Sequence, residues 1–149
     1  MKQHIFLASP HMSDEGYEKE FVKEAFDTNW IAPLGKNVTE FEKEVTEKLG
    51  AKSAVALSAG TAAIHMALKS IGVGQGDLVF CQSLTFSATA NPITYEKAVP
   101  VFIDSEASTW NMSPSALQKA FDKYEKLGRL PKAVMVVHLY GNCAHIEEI

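Results

Sequence analysis

Arginine is almost absent. Arg129 is the single one among 14 basic residues, and those residues are scattered against 18 acidic ones. A net charge of −4 without a basic cluster leaves no electrostatic footprint for nucleic acid. Cysteine is scarce as well. Cys81 and Cys143 lie far apart, form no C-x-x-C pair and have no histidine at metal-ligand spacing, so both read as free thiols in core or loop. No apolar run reaches the roughly 18 residues that a membrane helix needs. The opening Met1-Lys2-Gln3-His4-Ile5 lacks the apolar stretch of a secretory signal, which makes the cytoplasm the expected location. Neither G-x-x-x-x-G-K-[ST] nor G-x-G-x-x-G occurs.

What is present is an ordinary globular composition. Hydrophobic residues make up 46% and charged residues 21% of 149 residues, enough for one sizeable core. Two helices lead. After a short apolar run from Ile5 to Pro10, Ser13 is set to cap a helix over 14–28 whose apolar face carries Tyr17, Phe21 and Ala25. A loop with Pro33 and Gly35 follows, and then a helix from about Val38 to Leu49 that Gly50 ends. From Ala51 the rhythm changes. Short apolar runs at 53–57, 78–82, 100–104 and 132–139 alternate with helical patterns at 60–71, 86–97 and 113–127. The last of these is the clearest, with Ser113 as cap, Pro114 in the first turn and a stripe of Leu117, Ala120, Phe121, Tyr124 and Leu127. Pro92 lies inside the 86–97 run, so that helix is expected to begin late or to kink. Alternating strands and helices predict an α/β layered, mostly parallel sheet with right-handed crossovers. The strand runs do not alternate apolar with polar, which suits burial on both faces.

Ligands of such sheets bind beyond the carboxyl ends of the strands. That rule selects the loops 58–61, 83–87, 104–111 and 138–142. In the first, Ser58-Ala59-Gly60-Thr61 leads into a helix. Gly60 admits a ligand close to the backbone, and the first helical amides have no internal partner, so the turn can bind an anion, with hydroxyls from Ser58 and Thr61. It can equally be a plain turn capped by Ser58. In the second, Phe86 sits among hydroxyl residues, where its ring can stack on a flat heterocycle or merely anchor a helix. In the last, His138 and Tyr140 end a buried strand. The histidine can carry a proton or serve as a hydrogen-bonded structural residue. Asp104 and Glu106 read as caps of a turn, and His65 as a packing residue.

As an ordered series, these segments gain meaning. Ala59-Gly60-Thr61-Ala62-Ala63, Gly74-Gln75-Gly76-Asp77-Leu78-Val79, Leu84-Thr85-Phe86-Ser87-Ala88-Thr89-Ala90-Asn91, Pro100-Val101-Phe102-Ile103-Asp104 and Val137-His138-Leu139-Tyr140-Gly141 follow one another at characteristic spacing. The series closely resembles the DegT/DnrJ/EryC1/StrS family of pyridoxal-phosphate (PLP) sugar aminotransferases. The lead segment Asn29-Trp30-Ile31-Ala32-Pro33-Leu34-Gly35 resembles that family's N-terminal signature. The resemblance implies a three-layer α/β/α sandwich, the N-terminal part of the large domain of the aspartate-aminotransferase-like (PLP fold type I) fold. Residues 1–50 would form its helical segment and 51–149 its strand–helix core. It implies amino transfer, usually from glutamate, to a nucleotide-linked keto-sugar. Gly60 and Thr61, with Ser58, would hold the PLP phosphate. Phe86 would lie against the pyridine ring. Asn29, Trp30, His138 and Tyr140 would lie near the sugar or the second subunit of a homodimer.

The resemblance also implies an incomplete site. The family's acidic residue for the pyridine nitrogen and its cofactor-anchoring lysine are expected beyond Ile149, and none of the lysines present occupies a matching position. The chain by itself is therefore expected to be an inactive N-terminal fragment. Two other classes fit the residues: a non-catalytic module that binds a phosphate ligand or a partner, and a regulatory relative. Neither a membrane nor nucleic acid is an expected partner.

Overall fold

The computed structural model describes residues 11–149, so the apolar run at 5–10 lies outside the described residues. The chain divides into two compact units, one ending at Ala56 and one running Leu57–Ile149.

The first unit contains α1 (Tyr17–Asp27) and α2 (Lys36–Leu49). α1 begins later than expected. Ser13 does not cap it directly. Instead the Ser13 amide and hydroxyl donate to the two carboxylate oxygens of Glu18 at 2.9 and 2.6 Å, and the Gly16 amide donates to Ser13 Oγ at 3.1 Å. These bonds, the hydroxyl's above all, hold the Glu18 carboxyl below its usual range. α2 ends at Gly50, whose φ of 61° is the left-handed conformation that glycine adopts without strain. Neither helix has a buried residue.

The second unit is a parallel sheet of β1 (Leu78–Gln82), β2 (Val99–Ile103) and β3 (Ala133–Met135), in the order β2-β1-β3. Alternate residues of the central strand serve opposite faces. Val79 and Cys81 pack with Leu68 of α3 (Gly60–Ser70) and Ile93 of α4 (Asn91–Tyr95). Phe80 packs with Met112 and with Leu117 and Phe121 of α5 (Pro114–Lys126). Helices on both faces make three layers, as expected. The Phe80 ring meets those of Phe121 and Tyr124 at centroid distances of 5.2 and 5.3 Å. Ser113 caps α5 as expected, its Oγ accepting from the Ala116 amide at 3.2 Å. Pro92 enters in the first turn of α4, after a 3-10 turn at Ser87–Thr89, so the helix begins late.

Three expectations need correction. Residues 53–57 form no strand, because none of the described strands pairs with them, and a strand exists only through its ladder. Val55 is 74% exposed, and the Ala56 amide donates to Glu42 Oε1 at 2.8 Å instead. The run 132–139 yields only the three residues of β3. Its later part leaves the sheet for a 3-10 turn at Leu139–Gly141, where Tyr140 takes φ 52°. Ser58 caps nothing: the residue before α3 is Ala59, in extended backbone, and no side chain caps that helix.

Candidate functional site

The carboxyl ends of β1 and β2, and the chain beyond β3, lead into the loops singled out above. Phe86 ends the loop after β1, immediately before the 3-10 turn Ser87–Thr89. Its ring is 78% exposed, which removes the reading of Phe86 as a core anchor. A hydroxyl pair, Thr85 and Thr89 at 2.9 Å, braces this turn. Phe86 shares a cleft of about 830 Å³ with Thr85, Thr109, Trp110, Tyr140 and Asn142.

α3 packs beside the 3-10 turn and α4. Its N-terminus carries Gly60 and Thr61. Without a side-chain cap, its first amides retain their donors and the positive end of the helix dipole. A Cβ built at Gly60 meets nothing within 4 Å, so the space above that residue is open. Glycine is not required there by packing, and the opening leaves room for a phosphate to reach the amides. α3, which opens with Gly60 and Thr61, thus packs against the turn that follows Phe86. Ser58, two residues before α3, is exposed and does not cap it.

His138 and Tyr140 also reach this end of the sheet. His138 is exposed, but its Nδ1 accepts from the Ala144 amide at 3.0 Å and closes the turn 138–144. That is the structural role, and it leaves only Nε2 for other work. Asp104 and Glu106 are turn caps, as expected. Hydrogen bonds from Ser108 and Thr109 hold the Glu106 carboxyl down at about 2. His65 does more than pack: its Nε2 lies 2.6 Å from Glu96 Oε1, and its ring meets Tyr95 edge-on. Cys81 is a core thiol whose burial pushes it up to about 11, and Cys143 is exposed. Among the described residues no group of three metal-ligating side chains occurs.

Asn29 and Trp30 belong to the helical unit. Asn29 takes φ 55°, which asparagine tolerates better than most residues. The Trp30 indole N–H donates to the Leu34 carbonyl at 2.6 Å. The indole lies so close to Gly35 that a Cβ there would come within 2.0 Å of Trp30 Nε1. The tryptophan walls a cleft of about 560 Å³ with Glu24, Thr28, Ile31, Leu34 and Lys36.

Sequence reading missed Gln82, Trp110 and Asn111. A glutamine ending an otherwise apolar, fully buried strand was the available signal, because a buried amide requires partners.

A parallel sheet with helices on both faces is a three-layer α/β/α arrangement, and the likeness to solved aminotransferases identifies it as part of the PLP fold type I architecture. The comparisons make the family specific. The model of the DegT/DnrJ/EryC1/StrS aminotransferase family matches residues 13–149, and the chain belongs to that family. EpsN of Bacillus subtilis (strain 168), provisionally described as a pyridoxal phosphate-dependent aminotransferase, is 57% identical over 149 residues, 100% of this chain and 38% of EpsN. A GDP-perosamine synthase of Caulobacter vibrioides is 38% identical over 97% of this chain and 37% of its own length. A Streptococcus pneumoniae protein, Spr1654, provisionally described as a sugar aminotransferase and solved in PMP and PLP forms, is 25% identical. Its PMP form superposes with a TM-score of 0.80 over 98% of this chain and 34% of its own. The chain thus spans little more than a third of the length of these relatives.

Proposed function

We propose that the sheet unit is the phosphate- and ring-binding part of a PLP-dependent aminotransferase that acts on a nucleotide-linked keto-sugar with glutamate as amino donor. The observation that carries this reading is the uncapped N-terminus of α3, with open space over Gly60, on a helix that packs against the turn after the exposed Phe86. Bound there, the cofactor would supply the electron sink that amino transfer needs. This chain's own residues bind and orient. The α3 amides at Gly60 and Thr61 hold the phosphate, Ser58 adds a hydroxyl, and Phe86 offers a flat face to the pyridine ring. The substrate class rests on family membership and on the likeness to a GDP-perosamine synthase.

Asn29, Trp30, His138 and Tyr140 belong, in this reading, to the sugar or to the second subunit of a homodimer. A second copy accounts for the apolar stripe of α1, where Tyr17 and Phe21 are both exposed. The cytoplasm is the proposed compartment.

The same reading makes the 149-residue chain inactive by itself, because among the described residues no lysine of the sheet unit is placed to anchor the cofactor. Lys69 stands about 12 Å along α3 from Thr61, at 1.5 Å per residue. Its Nζ lies 3.8 Å from Glu96. Lys97 follows α4, and Lys132 precedes β3, at the strand end opposite the loops. Borohydride trapping with peptide mapping, run beside a glutamate half-reaction, tests this. Stoichiometric trapping at one lysine together with pyridoxamine phosphate formation contradicts it.

The cofactor site is tested with 4-deoxypyridoxine 5′-phosphate, which lacks the aldehyde and forms no lysine adducts. Gly60→Val places a branched side chain in the cradle and should weaken binding at least tenfold, about 1.4 kcal/mol. Equal affinity in the variant and the unmodified chain removes the assignment. For the whole protein, 2-oxoglutarate release from glutamate on adding a GDP- or UDP-linked keto-sugar tests the substrate class, and no release with either overturns it.

A further inference from the structure

Two side-chain amides at the carboxyl end of the sheet, Gln82 and Asn111, are fully buried. In both, the oxygen and the nitrogen are hydrogen-bonded. Gln82 Oε1 accepts from the Met112 amide at 3.0 Å, and its Nε2 donates to the Leu84 carbonyl at 2.8 Å and lies 3.5 Å from that of Trp110. Asn111 Oδ1 accepts from the Leu139 amide at 2.8 Å, and its Nδ2 donates to the Asn142 carbonyl at 2.8 Å. Asn142 returns a bond from Nδ2 to the Thr109 carbonyl at 3.3 Å. Three loops that follow three different strands are thus joined by side-chain amides where the ladder has ended.

The bonded segments carry an unusual load. Trp110 and Tyr140 adopt φ of 66° and 52°, a left-handed backbone that large side chains disfavour. Both rings are exposed, and both line the cleft that holds Phe86. Asn111 follows Trp110 directly and bonds the chain on either side of Tyr140. Such a backbone persists only where its surroundings over-determine it, and here the buried amides supply that constraint.

We propose that Asn111, backed by Gln82, is a positioning residue: it fixes Trp110 and Tyr140 as preset aromatic walls of the Phe86 cleft, so that the cleft receives a planar heteroaromatic ring without rearranging. This rests on the reading of the cleft as the cofactor crevice.

The test uses the 149-residue chain and two isosteric variants, Asn111→Leu and Asn111→Asp, with 4-deoxypyridoxine 5′-phosphate as probe. Three quantities are read: far-UV circular dichroism for folding, the dissociation constant with the induced circular dichroism of the bound ring, and exchange of the Leu139 amide. Leucine removes both side-chain bonds of Asn111. Aspartate keeps the acceptor for Leu139. The folded Asn111→Leu chain should bind at least tenfold more weakly, lose the induced signal and exchange Leu139 at least tenfold faster, with Asn111→Asp retaining more of each. A folded Asn111→Leu chain with unchanged affinity and induced signal reduces Asn111 to packing and overturns the proposal. If the unmodified chain does not bind the probe, the cofactor reading fails separately. The positioning role then stands or falls on Leu139 exchange, which must be as slow as that of the β1 amides in the unmodified chain. Should Asn111→Leu not fold, Asn111→Asp and that exchange rate decide in the same way.

Discussion

The two units of this chain meet the same physical demand in opposite ways. In the sheet unit, β1 is buried along its whole length and both of its faces are covered by helices. In the helical unit, α1 and α2 have clear apolar faces and no buried residue at all. Each large side chain that is fully buried contributes about 1.5–3 kcal/mol. The helical unit forgoes that and relies on local bonds: Ser13 with Glu18, Lys23 with Asp27, Trp30 with the Leu34 carbonyl, and Glu42 with the Ala56 amide. Exposed pairs of this kind contribute little each. Helical periodicity therefore records that a face is meant to be covered, but not by what. In the sheet unit the cover is in the same chain. In the helical unit the proposed cover is a second copy.

The contrast can be broken most sharply by truncating one aromatic on each side. Phe80→Ala empties the packing between β1 and α5 and should cost about 3–5 kcal/mol in denaturant unfolding. Phe21→Ala in a chain held monomeric should stay within about 0.5 kcal/mol of the parent. Comparable losses at both positions in a monomer shown by sedimentation would mean that the α1 stripe is already covered.

Two glycines sharpen the comparison next. Gly35→Ala drives a methyl group into the Trp30 indole and imposes a side chain at φ 146°. It should cost about 1–3 kcal/mol and shift tryptophan emission as the Leu34 bond is lost. Gly60→Ala meets open space and should leave stability nearly unchanged while weakening the phosphate analogue. If Gly60→Ala destabilises the fold instead, that glycine serves packing and not a ligand.

A smaller effect is expected at the α5 cap. Ser113→Ala removes the acceptor for the Ala116 amide and should cost about 1 kcal/mol, read as a lowered melting temperature. An unchanged temperature would show that the Ser113 bond to Ala116 is redundant.

The smallest effect is one of pH. Glu106 is held at about 2, below the ordinary glutamate value of about 4.3, first by the Ser108 and Thr109 side chains. A carboxyl lowered in the folded state binds fewer protons than the unfolded chain. Its contribution is complete above about pH 4.3 and is lost as pH falls toward 2. Glu106→Gln should therefore flatten the acid limb of the stability profile over that interval while leaving the slope near neutrality unchanged. An unaltered acid limb removes the assignment.

These contrasts also explain how much was legible beforehand. β1 was expected at Leu78–Gln82 and lies there, because a short apolar run bounded by turn residues has one solution once helices flank it. α5 was equally legible through Ser113, Pro114 and its stripe. The strand expected at 53–57 failed for the reason that separates the two units: an apolar pattern names a face, while a ladder needs a neighbour. The site was half legible. Gly60 and Phe86 were singled out as candidates by their place after apolar runs and by the ordered series of motifs around them. The amides of Gln82 and Asn111 were not, because burial and partners arise only when three loops converge. Trp110 and Tyr140 were hidden for a related reason: a left-handed backbone is not expected of tryptophan or tyrosine.

The central claim, that the end of the sheet near α3 is the cofactor cradle, is tested most directly by amide and ring resonances in solution. On titration with 4-deoxypyridoxine 5′-phosphate, the backbone amides of Gly60 and Thr61 and the ring protons of Phe86 should shift together and saturate at one equivalent. Inorganic phosphate should move the two amides and leave the Phe86 ring in place. Titration with no change at Gly60 and Thr61, or with shifts confined to lysine side chains, would contradict the account.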